Sequence, residues 1–175
     1  MAMVRGSPNP RWSDLPARLR KARKQSGLTR AALGNKVGRA PEVAAYIESG
    51  QRWPTVATIA LLASGLGISA AWLGYGIGTP SSDGPAATCD DMGARLQTVR
   101  VEHGHTKASL ARLINVTPGT VADIENGGQA KVKTIEALAD VLGVSPAWLA
   151  FNQGPQVLPS RRGGRPRSQP ADLAG

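Results

Sequence analysis

The sequence predicts an all-α protein built as two five-helix domains. Three observations carry that expectation: a long internal repeat, helical apolar stripes in both copies, and cap residues at matching places with no alternating strand pattern. Ala17-Arg18-Leu19 returns as Ala94-Arg95-Leu96, and Thr29-Arg30-Ala31-Ala32-Leu33 as Thr106-Lys107-Ala108-Ser109-Leu110. Ile47-Glu48-Ser49-Gly50 returns as Ile124-Glu125-Asn126-Gly127, and all three pairs are 77 positions apart. One residue is lost in the next loop. Leu66-Gly67-Ile68-Ser69-Ala70-Ala71-Trp72-Leu73 then matches Leu142-Gly143-Val144-Ser145-Pro146-Ala147-Trp148-Leu149 at an offset of 76. Two copies at so long a period mean two small domains, because solenoid units are shorter and need about three copies to bury a core.

The elements follow in order. Leu15, Leu19 and Ala22, repeated as Met92, Leu96 and Val99, stand at i, i+4, i+7 and mark an amphipathic first helix. Thr29 and Thr106 are placed to cap a second helix that ends near Val37 and Ile114. After a short break, Pro41 and Pro118 open a third helix, where a missing N–H costs nothing. Gly50 and Gly127 close it. Val56, Ile59, Leu62, Ala63 and Leu66 mark a fourth helix, as do Val132, Ile135, Leu138, Ala139 and Leu142. Ser69 and Ser145 cap a short fifth helix that carries Trp72-Leu73 and Trp148-Leu149.

These readings divide the chain into a disordered N-terminus (1–11), domain 1 (12–76), a linker (77–89), domain 2 (90–152) and a disordered basic tail (153–175). The linker is rich in Gly, Ser and Pro and reads as flexible. With its flanks it spans roughly 50 Å when extended. The single cysteine, Cys89, rules out an internal disulfide and a cysteine metal cluster. His103 and His105 have no counterpart in the first copy and read as a solvated loop. No metal, no cofactor and no enzyme activity are expected, since no nucleophile–base–acid set or phosphate-cradling loop is visible. No secretory leader and no bilayer-length apolar run are seen, so a cytoplasmic, nucleoid-associated protein is expected.

Charge points to a polyanion. The chain carries 21 Lys and Arg against 12 Asp and Glu, a net charge of +9. The excess is uneven: residues 11–79 carry +7, residues 90–152 carry −1, and the tail from 153 carries +3. The copies are alike in pattern and unlike in electrostatics.

A helix, a short break and a second helix inside a small helical domain form a helix-turn-helix, whose second helix can enter the major groove. Each copy resembles the Cro/C1-type (XRE-like) domain of phage repressors and bacterial regulators. The resemblance rests on Gly-x-Thr-[Arg/Lys]-x-x-Leu, on Ile-Glu-x-Gly, and on Leu-Gly-[Ile/Val]-Ser-x-Ala-Trp-Leu, and it covers nearly all of 13–75 and 90–151. It implies two lambda-repressor-like domains. It also implies salt bridges between helices one and three, Arg23 with Glu48 and Arg100 with Glu125. Both charges recur in both copies while their neighbours drift.

Other positions carry over from the resemblance as DNA contacts. Arg30 and Lys107, at the start of helix two, are implied to touch phosphate, as are Ser49, Asn126, Arg52, Lys131 and Lys133. Positions facing base edges are Pro41, Glu42, Ala45 and Tyr46 in copy one, and Pro118, Gly119, Thr120, Ala122 and Asp123 in copy two. None is Arg, Asn or Gln, the residues that make bidentate contacts with guanine or adenine. Arg39, in the turn of copy one, is then the best remaining base reader or phosphate clamp there. In the tail, Arg161-Arg162-Gly163-Gly164-Arg165-Pro166-Arg167 resembles an AT-hook, with Arg162, Arg165 and Arg167 facing a narrow minor groove; a generic basic arm is the other reading.

The expected function is a sequence-specific DNA-binding regulator, a repressor of phage or bacterial type, that reads double-stranded DNA with two linked modules. An asymmetric target, or a homodimer over a longer palindrome, follows from the difference between copies. The alternative is an interaction module, an antitoxin or adaptor, in which domain 2 binds a partner protein instead of DNA. No membrane partner is expected.

Overall fold

A computed structural model describes residues 11–81, 87 and 89–158. These residues form ten α-helices after a 3-10 turn at Arg11–Asp14. In the first copy they are α1 (Leu15–Gln25), α2 (Arg30–Lys36), α3 (Val43–Glu48), α4 (Val56–Leu66) and α5 (Ala70–Tyr75). In the second they are α6 (Met92–Glu102), α7 (Lys107–Leu113), α8 (Pro118–Glu125), α9 (Val132–Val141) and α10 (Pro146–Phe151). The all-α, two-copy architecture is the one the repeat predicts.

Local chemistry accounts for most boundaries. Thr29 and Thr106 accept hydrogen bonds from the N–H groups of Ala32 and Ser109, both at 3.0 Å. Ser69 and Ser145 cap α5 and α10 in the same way through Trp72 and Trp148. Left-handed backbone recurs at matching places. Gly38 (φ 63°) is answered by Asn115 (φ 57°), and Gly76 (φ 66°) by Asn152 (φ 54°). Asparagine tolerates this region better than other non-glycine residues, which lets the repeat drift without losing its turns.

One boundary differs between copies. In copy two α8 begins at Pro118, and the Thr117 hydroxyl accepts from the Thr120 N–H. In copy one α3 begins only at Val43, so Pro41 and Glu42 lie in the turn and not in the first turn of a helix. The reason is the residue before the proline. Both copies close the turn with the same backbone bond, Val43 N–H to the Ala40 carbonyl and Thr120 N–H to the Thr117 carbonyl, but Ala40 has no hydroxyl to satisfy a first-turn N–H as Thr117 does. Thr117→Ala is expected to cost about 1 kcal/mol. Thermal denaturation checks it, and an unchanged melting temperature would contradict the cap.

The copies do not stand apart. A single apolar cluster runs through both, with Leu15, Leu19, Leu33, Ile59 and Leu73 of copy one joined to Leu96, Leu110, Ile135, Leu149 and Phe151 of copy two. At the seam Thr55 and Lys131 form an antiparallel bridge. Val56 N–H donates to the Ala130 carbonyl at 2.8 Å, and Val132 N–H donates to the Pro54 carbonyl at 3.2 Å. At the offset of 76, each of these bonds is the other with the copies exchanged. Tyr75 and Phe151, again equivalents, meet with ring centroids 6.0 Å apart and an interplanar angle of 47°. Both are buried. The Tyr75 hydroxyl crosses the seam to the Val132 carbonyl at 3.3 Å. Equivalent residue meeting equivalent residue is the signature of a two-fold axis. Here the axis is approximate and lies within one chain.

Segments flanking the domains pack back on them, and two of these cross the seam. Ile77–Ser81, read above as linker, return to domain 1, where Ser69 N–H donates to the Pro80 carbonyl and Ile68 bridges Ser81. Gln153, read as the start of the tail, accepts from the Ala71 N–H at 3.0 Å and so ties domain 2 to domain 1. Arg11, read as the last residue of a disordered N-terminus, enters the 3-10 turn, and its N–H donates to Glu136 of α9 at 2.7 Å. The first ten residues, most of the linker after Ser81, and the AT-hook-like segment with Arg162, Arg165 and Arg167 lie outside the described residues.

Candidate nucleic-acid interface

The helix-turn-helix units are α2–α3 and α7–α8. In copy one the turn presses on α2 at Gly34, where a Cβ would sit 2.6 Å from the Ala40 carbonyl oxygen. Copy two has Ala111 at that place, fully buried. The turn of copy one therefore sits closer to its supporting helix.

Each third helix is tied to the first by the expected ion pair. Arg23 Nε lies 2.6 Å from Glu48 Oε1, its Nη2 lies 3.1 Å from Oε2, and its Nη1 donates to the Leu28 carbonyl at 2.7 Å. Arg100 makes the same fork to Glu125 and donates to the His105 carbonyl. Glu48 is 3% exposed and Arg23 8%. Each of the three nitrogens of the buried guanidinium finds an acceptor here, the condition under which such a pair is tolerable.

The copies part at the rim of that pair. In copy one Arg30, expected at phosphate, places its Nε 2.9 Å from Glu48 Oε2. Arg20 adds Nη2 on the Glu48 carbonyl at 3.1 Å and stands 3.8 Å from the carboxylate. Three guanidiniums therefore surround one carboxylate, and Arg20 and Arg30 remain half-exposed. In copy two Lys107 stands 3.4 Å from Glu125, and Gln97 occupies the position of Arg20. Burial pushes the Glu48 carboxyl up, but hydrogen bonds from Arg23 and Arg30 outweigh it and hold the group below its ordinary value.

On α3 and its turn, Arg39, Pro41, Glu42 and Tyr46 are exposed and Ala45 is half-buried. The Arg52 guanidinium lies 5.0 Å from the centre of the Tyr46 ring, a cation–π distance. Arg39, Tyr46, Arg52 and Trp53 border a cleft of about 400 Å³ beside the helix. Trp53 is steadied by an edge-on contact with Trp12 at 4.3 Å. Ser49 is exposed, with its hydroxyl donating to the Tyr46 carbonyl.

On α8, Pro118, Gly119 and Asp123 are exposed, and Ala122 is half-buried. Thr120 is half-buried, with its hydroxyl 2.9 Å from that of Thr117 in the cap. Asn126, Lys131 and Lys133 are exposed at the end of α8 and the start of α9. Thus α3 brings cationic and aromatic groups to its surface, whereas α8 brings an acid and hydroxyls.

Two sets of residues escaped the sequence reading. Arg18 and Arg95 sit inside the repeated Ala-Arg-Leu. Arg18 donates to the carbonyls of Leu73 and Gly74, and Arg95 to those of Leu149 and Ala150. They satisfy the C-terminal carbonyls of α5 and α10 and oppose the helix dipoles there. Their recurrence was the available signal. Glu136 has no such signal, because its equivalent is Ala60. Burial raises the Glu136 carboxyl, and N–H donation from Arg11 and Trp12 only partly offsets this. Among the described residues no His, Cys, Asp and Glu cluster could hold a metal. No helix among them is long and apolar enough to cross a membrane.

A helix-turn-helix family model matches residues 19–73 and again 96–149, more than half of the chain. No curated protein and no solved structure matches the chain. Both matched stretches run from the first helix through the fifth of their copy. The chain belongs to the XRE-type helix-turn-helix family of DNA-binding transcription regulators, with the family domain present twice.

Proposed function

We propose that the protein is a repressor that occupies double-stranded DNA through α3 and α8 and blocks transcription sterically. The observation that carries the reading is the surface of copy one. Arg39 and Arg52 flank the exposed reading helix without a carboxylate partner among the described residues, and Arg20 and Arg30 leave a net positive rim around Glu48. Phosphate contacts fall to Arg30, Ser49 and Arg52 in domain 1 and to Lys107, Asn126, Lys131 and Lys133 in domain 2. Such contacts fix register and affinity. Base edges fall to Arg39, Pro41, Glu42, Ala45 and Tyr46, and to Pro118, Gly119, Thr120 and Asp123. Glu42 and Asp123 suit cytosine N4, and Thr120 suits a thymine methyl. The arginines of the tail, Arg162, Arg165 and Arg167, add a minor-groove or electrostatic contact that raises effective concentration.

Selection of bound sequences from random DNA, followed by a reporter carrying the selected site, tests the reading. Lower reporter output with the protein present is the expected result; unchanged or raised output defeats the repressor role. Arg52→Ala is expected to flatten the slope of log K against log salt by about 0.9, one phosphate contact. Titration of the duplex between low and moderate salt measures that slope.

A second reading has its own support. Residues 90–152 carry −1, and Asp123 is exposed on α8, a surface that suits a basic protein partner better than phosphate. Under that reading domain 2 recruits the partner while domain 1 holds DNA.

A further inference from the structure

The two-fold seam has a consequence for how the chain meets its ligand. We infer that a single chain is a complete bipartite reader, engaging one duplex at two unlike half-sites whose spacing is set by the seam between domains and not by the linker. The inference rests on the DNA-regulator reading above and goes beyond it in stoichiometry, spacing and symmetry.

The stoichiometry follows from what the seam uses up. A symmetric dimer is built from one self-complementary patch. Here the patch around Thr55 and Tyr75 is covered by its own equivalent around Lys131 and Phe151. The exchange-related pair of backbone bonds, Val56 to Ala130 and Val132 to Pro54, closes it. Gln153 on Ala71 and Arg11 on Glu136 lock the seam from two further directions. A second chain finds no free copy of this surface.

The spacing follows from chain length. Glu48, at the end of α3, is seven residues from Thr55, and Glu125, at the end of α8, is six residues from Lys131. Thr55 and Lys131 are paired across the axis. At ~3.3–3.6 Å per residue, plus ~5 Å across the bridge, the two helix ends are at most about 50 Å apart. That admits half-sites one turn apart, ~34 Å, and puts two turns, ~68 Å, beyond the reach of the helix ends. Because the linker is not in this path, lengthening it leaves the limit unchanged.

The asymmetry follows from the two surfaces. Arg39, Tyr46 and Arg52 border the cleft beside α3, and their places in copy two are taken by Val116, Asp123 and Gln129. Two such helices demand different base edges. The ligand is therefore a non-palindromic duplex.

The test uses the full chain and a duplex selected from random DNA. Light scattering or native mass spectrometry should find one chain per duplex; two chains would overturn the inference while leaving the regulator reading intact. Inserting five base pairs between the half-sites turns one to the opposite face and should weaken binding at least tenfold. Adding a Gly-Ser segment between Ser82 and Gly84 should not restore it. Restoration would show that the linker sets the spacing, and equal affinity after deleting either half-site would show that the chain reads only one; either result overturns the inference. Failure to select any duplex overturns the regulator reading and this inference with it.

Discussion

Glu48→Ala should lower the stability of the protein by about 3–5 kcal/mol, because it strands Arg23 without its carboxylate in a buried place. Arg23 cannot shed its charge, and its Nη1 is already committed to the Leu28 carbonyl. In copy one the loss is compounded, since Arg20 and Arg30 then face Arg23 with no anion between them. Thermal denaturation should show a fall of about 10 °C; an unchanged melting temperature would remove the pair from the account of stability. The equivalent change, Glu125→Ala, leaves only Arg100 and Lys107 and should cost less. The pH dependence has a definite sign. The Glu48 carboxyl is held below its ordinary value when folded. Its contribution is present in full above the ordinary carboxylate value and is lost as pH falls through the depressed one. The deficit of Glu48→Ala relative to the parent should therefore shrink in acid. Glu136, raised by burial, works the other way: its folded form favours the proton, so stability falls as pH rises past the ordinary carboxylate value.

Phe151→Ala should cost a similar amount, about 3–5 kcal/mol, for a different reason. Phe151 is fully buried, in the part of the apolar cluster where the two domains meet. It closes domain 2 from α10 and packs against Tyr75 and the α5 backbone of domain 1; a Cβ on Gly74 would lie 3.4 Å from its ring. Removing the ring leaves a cavity on the seam. The parent should unfold in urea as one cooperative transition, because its apolar cluster is continuous. The variant should unfold at lower urea and in two steps, with domain 2 lost first. Trp148 reports on domain 2, and Trp12, Trp53 and Trp72 on domain 1. A single transition at the parental midpoint would show that Phe151 does not join the domains.

Much of this was legible in the sequence because the repeat served as an internal control. Thr29 and Thr106, or Ser69 and Ser145, announce helix starts by chemistry that acts within four residues. The Arg23–Glu48 pair was legible by recurrence and by resemblance, although its partners are 25 residues apart. Arg30 shows the limit of that method. Its position marks it for phosphate, and only the packing of α2 against α3 reveals that its Nε also meets Glu48 while the side chain stays half-exposed. The late start of α3 was also hidden. Pro41 and Pro118 look alike in the repeat, and the deciding difference is the Ala40 and Thr117 that precede them.

The sequence by itself determined two helical domains of one kind, their caps and cores, the ion pair inside each, and the contrast in charge between them. These depend on short-range pattern and on comparison of one copy with the other. Only the tertiary structure decided that the copies face each other across an approximate two-fold axis. Tyr75 and Phe151 are each simply the last aromatic of a fifth helix in the sequence. That equivalents meet is a property of surfaces, set when burying both rings against each other removes more apolar area from water than leaving two half-covered domains on a string.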